Sequence, residues 1–423
     1  WREQLLREAA YGQLSGGANP ILMNDDKIIP ALARSGDGIA LQPDSPNATR
    51  WNSMVKIEDA HDYAADGCYE PQFVGANWFH LGGVILLQPL EYALNQGRQI
   101  QSAGPVDLLG KNMSFRSPPA HEIGSYEQLE KLFFKHLEWS YARQMEGTVA
   151  DFGRMERVCP APLLDLFIND CLEKGQDIYG GGARYNVFGP CFTSLANTIN
   201  SLWAIKTMCF DRDTAVTSLA EMVQALLCNW GEKIIDPLVH PVILATDHAR
   251  TEDATKRFKH LRAIALALPR WGRGHSDIDT FGNRIAAAVA SMAVKVMTEP
   301  RPALAALYDQ AAARFGTPQH PFGGFSMQPG VGTFASYVEQ GLGCAASADG
   351  RLSAQPLATD MSPSPSPLDQ AATSSSQQLA DGVSMLENLR SNDSFGYANG
   401  APIDLNIAEE LPVERLVKIL DAF

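Results

Sequence analysis

Apolar residues recur at helical spacing through the middle of the chain. Ser125 and Gln128 have the spacing of a capping box, a pair of side chains that commonly starts a helix. Leu129, Phe133 and Leu137 follow at intervals of about four residues, which places them on one helical face. Similar patterns predict helices at 161–174, 192–210, 214–230, 253–268, 283–297, 302–315 and 412–423.

Short apolar segments lie between these helices and are bounded by glycine and proline. The segment 186–189 is one of them, and loop-rich tracts occupy 36–54, 98–124 and 316–333. This alternation predicts a large α/β domain with long functional loops. No internal repeat or break in composition divides residues 1–423, so we expect one structural unit.

Composition and charge exclude several classes of protein. Hydrophobic residues make up 45% and charged residues 19% of the chain, which is typical of a folded protein. The formal net charge of −14 argues against binding to nucleic acid or an anionic membrane, because both need clustered Lys and Arg. No apolar stretch approaches the ~20 residues that span a bilayer, and the first residues lack the apolar core of a secretion signal. We therefore expect a cytoplasmic protein.

The seven cysteines contain no Cys-x-x-C pair, which is poor spacing for zinc or an iron–sulfur cluster. We expect reduced thiols and no bound metal. His275, Asp277 and Asp279 alternate as metal ligands could, but a capped helix start explains them better. Cys191 and Cys344 are interpreted as buried structural residues.

The segment 66–72, Asp-Gly-Cys-Tyr-Glu-Pro-Gln, carries the most distinctive chemistry. If its backbone is extended, the Cys68 thiol and the Glu70 carboxylate project to the same side while Tyr69 packs behind them. A nearby negative charge disfavours the thiolate, so this pair suits hydrogen-atom transfer by sulfur with proton transfer by the carboxylate. Alone, however, a cysteine near a glutamate is usually a packed side chain beside a solvated one.

Other segments make the pattern specific. Asp-Gly-Arg at 349–351, Gly-Gly-Ala-Arg-Tyr-Asn at 181–186 and Asn-Ser-Leu-Trp-Ala-Ile-Lys at 200–206 resemble, in order and spacing, hallmark segments of the pyruvate formate-lyase-like glycyl radical enzymes. Asn-Asp-Asp at 24–26 and Asn-Gly at 399–400 resemble further elements of that family. The resemblance covers essentially the whole chain. It implies that Cys68 carries a thiyl radical and that Glu70 is its acid/base partner.

The resemblance also implies the architecture. The expected fold is an α/β fold, a ten-stranded barrel of the glycyl radical enzyme type surrounded by helices, and residues 1–423 would be its central catalytic portion. The Ser/Pro-rich stretch 362–376, which has the composition of a linker, would then be ordered. The family's N-terminal helical region and C-terminal glycine loop are not expected within this chain. It would be a fragment, or another chain would supply the missing parts.

Cofactor and partners follow from the same resemblance. No cofactor is expected to bind directly, because the radical would reside on a glycine absent from this chain. An activating enzyme that uses S-adenosylmethionine and an iron–sulfur cluster would install it, and a homodimer is expected.

The Gly-Cys-x-Glu-Pro form resembles the branch that includes choline lyase, diol dehydratases, isethionate lyase and arylacetate decarboxylases. Pyruvate formate-lyase itself has adjacent cysteines, whereas Tyr69 follows Cys68 here.

Aromatic residues near the cysteine favour an apolar substrate. The predicted substrate-binding residues are His80, Tyr69, Phe73, Trp78, Trp271 and Tyr185. His80 could bind a carboxylate when protonated, although a structural histidine is an equal alternative. Aromatic walls suit an arene, so the first interpretation is decarboxylation of a phenylacetate or indoleacetate. The alternatives are a dehydratase or C–N lyase acting on a diol, choline or a similar small substrate, and a non-catalytic fragment or scaffold.

Overall fold

The computed structural model describes residues 59, 63–65, 71–99, 110–151, 154–232, 248, 251–315, 325–327, 329–332, 336–358, 361, 363–364, 397, 412, 414 and 417. The helices of this part are α1 (Leu87–Leu94), α2 (Tyr126–Asp151), α3 (Pro162–Asp165), α4 (Cys171–Lys174), α5 (Leu195–Ile205), α6 (Leu219–Leu227), α7 (Glu252–Ala267), α8 (Ser276–Thr298), α9 (Pro302–Phe315) and α10 (Tyr337–Leu342). The strands are β1 (Tyr63–Ala65), β2 (Pro71–Phe73), β3 (Asn77–Ile85), β4 (Tyr185–Thr193) and β5 (Phe325–Met327). None of these helices has the length and apolarity needed to cross a membrane.

Helix α2 begins as the capping-box pattern predicts. The backbone N–H of Gln128 donates to Ser125 Oγ at 3.2 Å, and Gln128 Oε1 accepts from the backbone N–H of Gly124 at 2.9 Å. Leu129 and Phe133 on the predicted apolar face are fully buried. The predicted start and face of this helix are therefore confirmed.

Two other predicted helices are confirmed with close boundaries. The range 253–268 corresponds to α7, and the range 302–315 corresponds to α9, which begins at Pro302. The range 283–297 lies within α8, which begins earlier, at Ser276. The helix predicted at 412–423 falls almost entirely outside the described residues.

The prediction of a helix over 161–174 is wrong, whereas the helix predicted over 192–210 is confirmed from residue 195 onward. Only the single turns α3 and α4 are helical in the first range, and Asp170, with φ 77°, precedes α4. The second range contains the end of β4, helix α5 and a π turn, with Ser194 at φ 61° between strand and helix. Left-handed backbone cannot continue an α-helix, so it ends the regular structure at both places. In the range 214–230, α6 occupies only the middle.

Strands β3, β4 and β5 form a parallel sheet in that order. The register pairs Asn77 with Tyr185 and Ile85 with Thr193, and the segment predicted at 186–189 lies within β4. Parallel strands require crossover connections, and helices lie between these strands in the chain, so the expected α/β fold is present. A ten-stranded barrel stays a prediction.

The two faces of β3 and β4 have different surroundings. One face packs on α2, since the rings of Tyr141 and Phe192 lie 5.2 Å apart. Strand alternation assigns the following described residues to this helix face: Trp78, His80, Gly82, Val84, Asn186, Phe188, Pro190 and Phe192. The opposite face carries Phe79, Gly83, Ile85, Val187, Gly189, Cys191 and Thr193.

His136 on α2 is fully buried, and we expect it to make the stability of the fold depend on pH. Its Nδ1 atom lies 2.7 Å from Ser114 Oγ, and the ring of Phe115 stacks on it with centroids 4.0 Å apart. Burial lowers the pKa of His136 from 6.5 to about 4. The unfolded chain therefore binds a proton near pH 6.5 that the folded chain accepts only near pH 4. The free energy of unfolding should fall through this window as the pH drops, by about 3 kcal/mol at its lower end.

We expect His136→Gln to remove most of this pH dependence, because no buried imidazole then resists protonation. Urea unfolding at a series of pH values through the window measures the slope. His121→Gln changes an exposed histidine and should keep the wild-type slope. An unchanged slope in His136→Gln would show that other groups cause the acid sensitivity.

Candidate active site

Strands β1 and β2 form an antiparallel hairpin, and the cysteine segment connects them. Ala65 pairs with Pro71, so the chain leaves and re-enters the hairpin at adjacent positions. Cys68, Tyr69 and Glu70 lie outside the described residues. The direction of their side chains therefore stays a prediction.

The strand that follows the cysteine segment is fixed to the start of the parallel sheet. The backbone N–H of Phe73 donates to Asn77 Oδ1 at 2.8 Å, and Asn77 Nδ2 donates to Gln72 Oε1 at 2.6 Å. The ring of Phe73 meets that of Tyr185 edge-on, with centroids 5.3 Å apart. Because β3 begins at Asn77 and β4 begins at Tyr185, these contacts hold β2 at the N-terminal end of the sheet.

The segment 181–186 contacts Asp59, which precedes β1 in the chain. Tyr185 Oη donates to Asp59 Oδ2 at 2.6 Å. Arg184 lies between two carboxylates, with Asp59 at 3.3 Å and Asp170 at 3.2 Å. There is no room for a side chain at Gly182, because a Cβ there would clash with Gln176 O. Arg184 and Tyr185 therefore fix the chain just before the hairpin, and Gly182 allows close packing on Gln176.

The segment 349–351 forms the centre of a buried polar network. The Asp349 carboxylate accepts hydrogen bonds from Asn197 Nδ2 at 2.8 Å and Ser347 Oγ at 2.5 Å. The guanidinium of Arg270 lies 3.7 Å from Asp349 Oδ2 and donates to Asp349 O at 2.7 Å. Asp349 is 3% exposed and Arg270 is 5% exposed, so this charge pair is enclosed in the core.

Gly350 and Arg351 complete the turn around Asp349. Gly350 has φ 91°, and a Cβ there would lie 2.7 Å from Leu266 Cδ2. Arg351 donates to the carbonyl oxygens of Leu352 at 3.0 Å and Gln355 at 2.6 Å. Each residue of Asp-Gly-Arg is therefore needed by the local structure.

Helix α5 supplies two buried amides whose roles the sequence did not reveal. Asn197 Oδ1 accepts from the backbone N–H of Ala358 at 2.6 Å. Asn200 Oδ1 accepts from the backbone N–H of Trp271 at 2.9 Å, and its Nδ2 donates to Ser364 Oγ at 2.7 Å. The available signal was two asparagines at helical spacing among apolar residues. Ser364 is thus anchored, while most of the Ser/Pro-rich stretch lies outside the described residues.

Trp78 and His80 lie on the helix face of β3. The ring of His80 stacks between Trp78 and Phe188, with centroid distances of 5.5 Å and 5.6 Å. Partial burial lowers the pKa of His80, which favours the neutral imidazole over the cation that would attract a carboxylate. The contacts of Trp78 and His80 with a substrate stay a prediction.

Trp271 is enclosed between α5 and α8. Its backbone N–H bonds Asn200, and its indole Nε1 donates to Asn283 Oδ1 at 3.0 Å. Gly282 lies against the ring, where a Cβ would have no space. The structure therefore pairs Phe73 with Tyr185 beside the hairpin and places Trp271 in the core. The role of these three residues in binding substrate also stays a prediction.

Two cysteines occupy the buried positions that the sequence predicts for them. Cys191 and Cys344 are both buried, and burial raises the pKa of Cys344 to about 12. Such a thiol stays protonated at neutral pH. Within the described ranges, no three His, Cys, Asp or Glu side chains form a group that could hold a metal ion.

Comparison with known protein families places this chain in one of them. A sequence model described as pyruvate formate lyase-like matches residues 1–312. The chain therefore belongs to this family, whose members are glycyl radical enzymes.

Curated relatives with different activities share similarity with the chain. The trans-4-hydroxy-L-proline dehydratase of Clostridioides difficile is 27% identical over 50% of this chain and 24% of its own length. The (2S)-3-sulfopropanediol dehydratase of Klebsiella oxytoca is 22% identical over 94% of this chain and 39% of its own length. The 4-hydroxyphenylacetate decarboxylase glycyl radical subunit of C. difficile is 22% identical over 80% of this chain and 41% of its own length. The chain thus spans about two fifths or less of these relatives.

A solved structure also has the same fold. The structure concerned with 1,2-propanediol dehydration in Roseburia inulinivorans superposes with a TM-score of 0.70 and 20% identity. The superposition covers 99% of this chain and 44% of that one. At this identity the likeness shows the fold alone. Since the relatives include dehydratases and a decarboxylase, they do not support the predicted preference for decarboxylation.

Proposed function

We propose that this chain is the thiyl-radical portion of a glycyl radical lyase, with Cys68 as radical carrier and Glu70 as proton carrier. The observation that carries the proposal is the β1–β2 hairpin, whose paired ends bring both sides of the segment 66–70 to the N-terminal end of the parallel sheet. Asn77 and Tyr185 hold that hairpin from the first residues of β3 and β4. An anchored frame of this kind suits a residue that must meet its substrate at a fixed distance.

In this proposal, residues 1–423 form the central part of a ten-stranded catalytic barrel. The superposition of 99% of this chain on part of the Roseburia structure supports it. The radical glycine would lie on a further segment of the polypeptide or on a second chain. An activating enzyme that uses S-adenosylmethionine and an iron–sulfur cluster would generate the radical in an anaerobic cytoplasm, and the assembled enzyme would be a homodimer.

The chemistry can be assigned to the two residues of the hairpin. A glycyl radical, once formed, supplies the one-electron chemistry by accepting the hydrogen atom of the Cys68 thiol. The Cys68 sulfur then accepts a hydrogen atom from a substrate C–H bond and later returns one to the product, so the thiol is restored. Glu70 moves the proton that accompanies loss of the leaving group. Both steps require exclusion of bulk water, which would otherwise compete for the proton and expose the radical.

We propose elimination from a small hydroxyl-bearing substrate as the reaction. In a diol, Glu70 would take a proton from the retained hydroxyl group and give one to the departing hydroxyl, which leaves as water. Support comes from the similarity to two dehydratases and from the packing of the described aromatic residues, since Phe73 and Tyr185 contact each other and Trp271 is enclosed. Decarboxylation of an arylacetate is the second candidate, favoured by the similarity to the 4-hydroxyphenylacetate decarboxylase subunit.

Product analysis separates these candidates. The chain, together with the polypeptide that supplies its glycine, is incubated without oxygen with the activating enzyme and S-adenosylmethionine. The substrates are 1,2-propanediol, trans-4-hydroxy-L-proline, choline, phenylacetate and 4-hydroxyphenylacetate. We expect a dehydration product from a hydroxyl-bearing substrate. Carbon dioxide and a methylarene would favour the second candidate, and radical formation without any product would favour a non-catalytic scaffold.

A further inference from the structure

The segment 155–172 exposes large apolar side chains to solvent. Most of the exposed large apolar residues in the described part of the chain belong to it, including Val158 at 86%, Leu163 at 72% and Phe167 at 71% exposed. The others in this segment are Met155, Leu164, Leu166 and Leu172. Single apolar residues are common on protein surfaces, but a group of this size is typical of an interaction surface.

Val74, which directly follows β2, lies next to this segment and is also exposed. The carbonyl oxygen of Gly75 accepts from the backbone N–H of Asn169 at 2.7 Å, and a Cβ at Gly75 would lie 3.5 Å from Phe167 O. The two parts of the chain are therefore adjacent. We call Val74 and the seven exposed apolar residues of the segment 155–172 the apolar patch.

Hydrogen bonds and core contacts fix the backbone that carries the apolar patch. The backbone N–H of Ala161 donates to Asp177 Oδ2 at 2.5 Å, and Asp165 Oδ1 accepts from the backbone N–H of Ile178 at 2.8 Å. Ala161 and Ile168 pack against the main core. Little further ordering of the backbone is needed when such a surface binds a partner, which favours a specific contact.

The size of the apolar patch matches one side of a stable protein interface. Its eight side chains expose on the order of 800 Å², about 100 Å² each, and a standard interface buries about 800 Å² on each partner. Exposed charges of both signs flank it in the chain, with Arg154 and Arg157 near the start of the segment and Glu173 and Lys174 after its end. A surface with charges of both signs is not repelled by an identical surface.

A membrane is a poorer match for the apolar patch than a protein surface. The helices of the segment are the single turns α3 and α4, which do not form the long amphipathic helix that lies on lipid. The net charge of −14 also opposes an anionic bilayer.

We propose that the apolar patch is the contact surface between two copies of this chain related by a two-fold axis. In such a contact both copies supply the same patch, so one apolar surface covers the other. The two patches together would bury about 1,600 Å², the standard size of a specific interface. The proposal goes beyond the function proposed above by assigning a surface to its homodimer. Because Val74 follows β2, the contact would lie beside the hairpin.

Sedimentation velocity of the full chain over about 0.1–100 μM measures the dissociation constant of the dimer without any radical. We expect the wild type to dimerise. Phe167→Asp should raise the dissociation constant at least about a hundredfold, because it buries two unpaired charges in each dimer. Leu163→Asp should have a similar effect at a second position. Phe167→Ala removes apolar contact without adding charge and should raise the constant about tenfold.

The matched control is Val338→Asp on α10. Val338 is 44% exposed but lies outside the apolar patch, so this variant should dimerise like wild type. Circular dichroism checks that each variant is folded. A wild type that is monomeric at every concentration would overturn the proposal and assign the patch to a different polypeptide. Wild-type affinity in both Phe167→Asp and Leu163→Asp would also overturn it. A dimer that depends on the patch in a chain without turnover would contradict the proposed function alone.

Discussion

Asp349→Ala should lose about 3–5 kcal/mol of its free energy of unfolding, the usual cost of breaking a buried charge pair. The substitution leaves the Arg270 guanidinium in the core without the carboxylate 3.7 Å away. It also removes the oxygen atoms that accept from Asn197 and Ser347. Denaturant unfolding followed by circular dichroism measures the loss directly.

The matched control for this variant is Asp151→Ala. Asp151 also faces an arginine, with Arg154 Nη1 at 3.8 Å, but its side chain is 83% exposed. Solvent-exposed pairs of this kind contribute little to stability, so the control should unfold like wild type. If both variants lost the same small amount, the segment 349–351 would not be the structural centre assigned to it.

The sequence was sufficient to predict an element whose defining contacts join residues close together in the chain. The Ser125 and Gln128 pair and the stripe beginning at Leu129 define the start and buried face of α2 because all the groups involved lie within a few turns. The sequence pattern does not predict that regular structure is interrupted at Asp170 and Ser194. Both residues adopt left-handed backbone without being glycine, so the residue type does not mark the break.

The resemblance to a family identified important segments without giving their roles. Asp349 meets Asn197 across 152 positions of sequence and Arg270 across 79, and no periodicity links such distant residues. Only the fold shows that this segment holds the core together. The aromatic residues present the same difficulty. Trp271 is of the residue type that often lines a pocket, but the structure buries it in the core.

Cys68→Ser should reduce turnover by at least about a thousandfold, because the hydroxyl cannot replace the thiol as a hydrogen-atom carrier. The O–H bond is much stronger than the S–H bond, so a glycyl radical cannot take its hydrogen atom. Serine is close in size to cysteine, and the anchored hairpin should keep its position. Substrate binding should therefore survive while chemistry stops.

The most direct test of the central claim compares product formation by wild type, Cys68→Ser and Cys159→Ser under the same anaerobic activation. Cys159 is exposed and serves as the matched control. Electron paramagnetic resonance confirms that all three carry equal amounts of glycyl radical. We expect product from wild type and Cys159→Ser, and none from Cys68→Ser. Product from Cys68→Ser at a rate near that of wild type would contradict the assignment of the radical to position 68.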